Sequence, residues 1–181
     1  MGAGQLRMRK SSLNGLPPVR LPEGYSLRNF QPGDEFGWAG LMDGAIGTWD
    51  AQLVRDRFLR EEGIVASGIF IVMRHAEYVA TATAKRRRED SPFTGYLHMV
   101  AVASARRGIG LGLFVSLAAL HRLREDGCLE SILDTDDDRL PAIRTYLKLG
   151  FTPEYVASDD HERWRRVQEK IAEHQQGKAG R

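Results

Sequence analysis

The stretch MVAVASARRGIGLG, residues 99–112, constrains this chain more than any other. An apolar run ends, two arginines follow, and glycine then takes alternate positions at Gly108, Gly110 and Gly112. Each glycine inside a helix costs ~0.5–1 kcal/mol relative to alanine, so bare backbone here needs a physical reason. The segment lies where a strand over 96–102 hands over to a helix over 110–126, whose Leu113, Leu117 and Leu120 recur at helical spacing. A helix N-terminus carries unpaired N–H groups and about half a positive charge. Without Cβ atoms an anion can approach those groups closely, and Arg106 and Arg107 add fixed charge beside them. The pattern predicts a phosphate or pyrophosphate site; a glycine-rich surface turn is the plainer alternative.

The rest of the chain alternates elements around this junction. YSLRNF (25–30) reads as a strand, and residues 31–62 as two helices. GIFIVMRH and EYVATATAKR read as a hairpin, LESILDT as a strand, and DRLPAIRTYLKLG as a helix closed by Gly150 with Leu140, Ile143 and Leu147 as its buried stripe. FTPEYV is a candidate last strand, and a charged helix with Trp164, Val167 and Ile171 along one side follows. The expected fold class is α/β (α+β type), a mixed, mostly antiparallel central sheet with helices on both faces. Residues 1–20, rich in Gly, Ser, Pro and basic residues, read as a flexible arm, 21–176 as one domain, and 177–181 as a flexible tail.

Two phosphate readings are tested by spacing. A nucleoside triphosphate loop needs a lysine and a hydroxyl after its glycines, and neither is present. A dinucleotide fingerprint needs G-x-G-x-x-G directly after a strand; here the third glycine comes one position early, though Asp134 does end the next strand. The spacing that matches is R-x-x-G-x-G, formed by Arg107, Gly110 and Gly112, five residues after Val102. It resembles the coenzyme A motif of the GCN5-related N-acetyltransferase (GNAT) family. AIRTYLKLGF, with Ala142, Ile143, Tyr146, Gly150 and Phe151, is similar to that family's second motif. The two motifs match tightly over about 60 residues, and the element order is similar over 25–157.

The resemblance implies acetyl-CoA as acyl donor and direct transfer to an amine in a ternary complex. By similarity, the backbone of Val102 lies along the pantetheine arm and the N–H of Val100 faces the thioester carbonyl. Arg107, Gly108, Ile109, Gly110, Leu111 and Gly112 hold the pyrophosphate. Arg139 stands where the family commonly has asparagine and is placed with the cofactor contacts. Tyr146 matches the acid that protonates the departing thiolate. The strand before the glycine loop lacks the family's frequent glutamate, so His98 is the candidate base, on a face shared with Tyr96, Val100 and Val102; Tyr96 and Glu77 are weaker candidates.

Charge and composition exclude several classes. Twenty-six basic and 24 acidic residues leave a net charge of +2, which argues against a dedicated nucleic-acid binder. KRRR (85–88) is followed by Glu and Asp and reads as a solvated loop. No run approaches the ~20 apolar residues of a membrane span, and none resembles a signal peptide, so no membrane partner is expected and the location is read as cytoplasmic. The single cysteine, Cys128, allows no internal disulfide. DTDDDR lacks the glycine and glutamate of a calcium loop, and the histidines are scattered, so no metal is expected. The acceptor is expected to be a small-molecule or peptide amine in a pocket shaped by residues 31–62, where Trp38, Asp43, Trp49 and Asp50 could line it. The C-terminal helix could pair with a second copy through Trp164, giving a homodimer, or cover the sheet. The rival functions are a non-catalytic acyl-CoA-binding or regulatory module and a dinucleotide-binding domain.

Overall fold

A computed structural model describes residues 4–179. Among them it places β1 (Leu6–Lys10), β2 (Ser26–Asn29), α1 (Glu35–Met42), α2 (Ala51–Asp56), β3 (Ile69–Arg74), β4 (Glu77–Lys85), β5 (Thr94–Val102), α3 (Leu111–Glu125), β6 (Glu130–Thr135), α4 (Leu140–Lys148), β7 (Thr152–Glu154) and α5 (Asp160–Ala179). This is the expected class, mixed α/β with mostly antiparallel strand pairs. The chain divides into two compact units, Ser11–Ser131 and Met1–Lys10 with Ile132–Arg181.

In the unit of residues 11–131, β2, β3, β4 and β5 form an antiparallel meander in that order. Ile69, Ile71 and Met73 alternate along β3 into a core with Trp38, Met42, Val54 and Phe58. Trp38 stacks on Phe58 with ring centroids 4.4 Å apart, and its indole N–H donates to Thr81 Oγ1 at 3.0 Å. The second helix is shorter than its periodicity predicts. The backbone leaves helical geometry at Arg57 (φ −116°, ψ −64°) and continues as a 3-10 turn over Phe58–Arg60. That break buries Phe58 beside Val54 and leaves Leu53 exposed. The opposite face of the meander carries α3: a Cβ at Gly95 of β5 would lie 2.6 Å from the Leu123 side chain. Residues 115–120 of α3 are buried throughout.

The other unit corrects the reading of the N-terminus. Within the expected flexible arm, LRMRK forms β1, paired antiparallel with β7, with Met8 opposite Pro153. Leu6 and Met8 are fully buried, while Arg7 and Arg9 pair with Asp134 and Glu154, each at 2.8 Å. Strand order here is β6-β1-β7. In α4 the buried positions are Ile143 and Tyr146; Leu147, expected in the stripe, is exposed, because the buried face is centred one position earlier. Gly150 ends α4 as predicted, in the left-handed region (φ 84°). Trp164, Val167 and Ile171 of α5 are buried within the chain, which leaves Trp164 no surface to offer a second copy. The helix runs through Ala179, into the expected tail, whose last two residues lie outside the described ones, as do residues 1–3 of the arm.

Candidate active site

The glycine loop lies where the sequence places it, between β5 and α3. After Val102 the chain makes a 3-10 turn at Ser104–Arg106, and Gly108 (φ 88°) and Gly110 (φ 87°) both adopt left-handed backbone. Gly110 is the N-cap of α3, and no side chain caps that end. The first bonds to its carbonyl come from the N–H groups of Leu113 (3.0 Å) and Phe114 (3.2 Å). The N–H groups of Leu111 and Gly112 therefore have no intrahelical acceptor. A Cβ on Gly110 would be strained at this φ and would press on Phe114 at 3.2 Å, so backbone conformation as well as ligand approach demands glycine. Arg106 pairs with Glu77 at 2.9 Å, whereas Arg107 is exposed and its Nε–H reaches the Val102 carbonyl only at 3.4 Å. A cavity of about 690 Å³ adjoins the loop, lined by Val102, Ser104 and Arg107 and, from the facing elements, Leu41, Asp43 and Tyr78.

β5 departs from the expected alternation. His98 pairs with Thr83 and Ala101 with Thr81, so Met99 and Val100 together oppose Ala82 in a β-bulge. Met99 sits at φ 50°, a conformation that costs a non-glycine residue about 1–2 kcal/mol. The extra residue reverses the face of everything beyond it. Tyr96 and His98 share a face with Ala101 and look toward Phe58, whereas Val102, opposite Ala80, lies on the other face. The expectation that His98 shares a face with Val102 is therefore wrong.

His98 sits in a cluster of charges. Its Nε2 is 3.6 Å from Glu61 Oε2, and the Lys85 ammonium donates to the same carboxylate. Its ring is 5.4 Å from Tyr96, over which Arg87 lies at 4.0 Å, and Arg87 pairs with Asp90 at 2.7 Å. Burial pushes the imidazole down to about 4 against the opposing pull of Glu61, so it is neutral at pH 7. Burial alone would raise the Glu61 carboxyl, but the Lys85 hydrogen bond and the Lys85 charge hold it below its usual range. Thr83, opposite His98, is buried, and its hydroxyl has no hydrogen-bond partner among the described residues. KRRR is accordingly not a solvated loop at Lys85 or Arg87, whose side chains are 9% and 14% exposed. Glu61 was not legible in the sequence: in FLREEG it is one of two acidic residues closing a helix, a common solvated pattern.

Tyr146 and Arg139 belong to the other unit. Tyr146 is buried on α4, edge-on to Phe151 at 6.1 Å. Burial pushes its phenol up to about 12, and the charge of Arg139 pulls the other way. Arg139 is the N-cap residue of α4. Asp134 accepts two hydrogen bonds from the Arg7 guanidinium, at 2.8 and 3.1 Å, which removes the support it lent to a dinucleotide site. Among the described residues no group of three His, Cys, Asp or Glu could hold a metal, and no helix is long and apolar enough to cross a membrane.

The sequence profile of the acetyltransferase (GNAT) family matches residues 35–151, a span that contains the glycine loop, His98 and Tyr146. The chain belongs to the GNAT family. Mycothiol acetyltransferase of Thermobispora bispora is 34% identical over 157 residues, 81% of this chain and 52% of that protein. Mycothiol acetyltransferase of Thermomonospora curvata is 31% identical over 155 residues, 81% of this chain and 51% of that protein. The chain thus spans about half the length of the curated relatives it matches. Among solved structures, a GCN5-related N-acetyltransferase from Sphaerobacter thermophilus shares the fold with a TM-score of 0.62, at 20% identity over 84% of this chain and 50% of that one.

Proposed function

We propose that this GNAT chain binds acetyl-CoA and moves its acetyl group directly to an amine in a ternary complex. The observation that carries this is the N-terminus of α3: a left-handed Gly110 N-cap leaves N–H groups without intrahelical acceptors, beside a cavity walled by Val102 and Arg107. Bare backbone, unpaired donors and one exposed guanidinium suit a pyrophosphate. Arg107 and the backbone from Gly108 through Ile109, Gly110 and Leu111 to Gly112 hold that group, with Arg139 a further phosphate contact. The Val102 backbone lies along the pantetheine arm. The Val100 N–H, at the bulge, faces the thioester oxygen, where a donor aimed at developing charge is worth roughly 2.7–4 kcal/mol.

The amine proton passes to His98, the C–N bond forms as the C–S bond breaks, and Tyr146 faces the departing sulfur. His98 is neutral at pH 7, the form that accepts a proton. A phenol at about 12 against a thiol of about 8.5 makes full proton transfer uphill by about 5 kcal/mol, so Tyr146 acts chiefly as a hydrogen-bond donor to the sulfur. Cys128 is buried and its thiol is pushed up by burial, which fits transfer without a cysteine intermediate. Asp43 on the cavity wall suits a cationic small-molecule amine, and the acceptor of the mycothiol acetyltransferases is the first to try.

A second reading, acyl-CoA binding without catalysis, draws on the weak basicity of His98. Thiol release from acetyl-CoA separates the two, measured with a panel of amines: a polyamine, an amino acid, an amino sugar and a peptide N-terminus. Amine-dependent thiol release with an acetylated product of matching mass supports transfer. Tight acetyl-CoA binding with no turnover on any amine would replace it with the binding reading.

A further inference from the structure

Glu61 is bound into the His98 cluster by three independent contacts. Its N–H donates to the Phe58 carbonyl at 3.1 Å, which ties it to the end of the 3-10 turn. Its carboxylate accepts the Lys85 ammonium on one side and meets His98 Nε2 at 3.6 Å on the other. Those partners are mostly buried, with 9% and 22% of their side chains exposed, while Glu61 itself is 40% exposed. The groups around the imidazole are Glu61 and Phe58 from the segment after α2, Thr83 and Lys85 from β4, Arg87 just beyond it, and Tyr96 from β5. Of these, Glu61 is the one anion, set among two cations.

A neutral imidazole has one N–H and one lone pair, and the nitrogen nearest a carboxylate carries the proton. Here that nitrogen is Nε2. We propose that Glu61 is a positioning residue: its carboxylate holds His98 as the Nε2–H tautomer and leaves Nδ1 as the atom that receives the acceptor's proton. This rests on the reading of His98 as the base. The amine proton goes to Nδ1, the Nε2–H stays in place, and the resulting imidazolium faces the Glu61 charge. At 3.6 Å the pair is longer than a hydrogen bond, and it closes by a small ring rotation as positive charge develops. Lys85 keeps Glu61 ionised, so the carboxylate remains an acceptor throughout.

The test is the His98 tautomer in the full chain, read from long-range ¹H–¹⁵N correlation spectra at pH 7 without ligand, the signal being assigned with His98→Gln. The expected result is Nε2–H in the wild type. In Glu61→Gln, which keeps a hydrogen bond for Lys85 and so guards the fold, the imidazole titrates at lower pH and kcat falls about tenfold with the acetyl-CoA KM unchanged. An Nδ1–H tautomer in the wild type would overturn the Glu61 assignment without touching the transferase reading. An Nε2–H tautomer together with full turnover by His98→Gln would instead refute His98 as base, and the role of Glu61 with it.

Discussion

Burial acts on His98 and on Tyr146 in opposite directions. It lowers the imidazole to about 4 and raises the phenol to about 12, so each is neutral at pH 7. What differs is the company each keeps. His98 has Glu61 at 3.6 Å and a web of cations behind it, so a positive charge formed on its ring has a waiting partner. Tyr146 has the Phe151 ring and, of charged groups, the influence of Arg139. In the proposed mechanism, one neighbourhood gains a proton briefly and the other keeps one. The difference teaches that similar desolvation gives different chemistry according to the nearest countercharge.

The largest expected effect attacks the Tyr146 side of that contrast. Tyr146→Phe keeps the ring against Phe151 and removes the hydroxyl. Turnover should fall by about 10²–10³, the cost of losing one donor aimed at developing charge, with acetyl-CoA affinity and melting temperature nearly unchanged. Wild-type turnover in this variant would make Tyr146 a packing residue only.

On the His98 side, the core beneath the ring comes next. Phe58→Ala removes the ring stacked on Trp38 and facing His98, and chemical denaturation should show a loss of about 3–5 kcal/mol. A loss below 1 kcal/mol would mean that this core does not hold the His98 ring in place.

The pH dependence sharpens the comparison further. His98 has its folded pKa depressed to about 4 from 6.5, so between those values the unfolded chain binds more protons than the folded one. Stability is therefore greatest above about pH 6.5 and falls as the pH drops toward 4, by about 3 kcal/mol at most from this residue. Tyr146 contributes nothing in that window, since it titrates far above it. Melts of the wild type and His98→Gln at pH 7 and pH 5 should show a smaller acid loss in the variant; equal losses would place the acid sensitivity elsewhere.

The smallest effect lies in the loop. Gly110→Ala forces a Cβ into left-handed backbone against Phe114 and should cost about 1–2 kcal/mol, while weakening acetyl-CoA binding.

The loop's place was legible because glycine at a strand-to-helix junction has few uses, but the spacing did not tell that Gly108 and Gly110, and not Gly112, take left-handed backbone. Tyr146 stood out in the sequence because the whole motif AIRTYLKLGF came with it. β1 could have been read from the strict alternation of Leu6 and Met8 with Arg7 and Arg9, but glycine, serine and basic residues around it masked the pattern. The bulge was not legible: YLHMVAV alternates no worse than a regular strand, and only the register against β4 reveals the extra residue. That single residue put His98 on the opposite face from Val102. Glu61 was equally hidden, since its importance comes from Lys85 and His98, 24 and 37 positions away in sequence.

The central claim is that the α3 N-terminus is an acetyl-CoA site, and a thermal-shift titration tests it most directly, with NADH as control and Gly110→Ala alongside. Acetyl-CoA at ~100 times its dissociation constant adds about 2.7 kcal/mol, a rise of roughly 5–10 °C for a chain of this size. The account predicts that rise for the wild type, a smaller one for Gly110→Ala at the same concentration, and none with NADH. No rise at millimolar acetyl-CoA, or a rise with NADH alone, would contradict it.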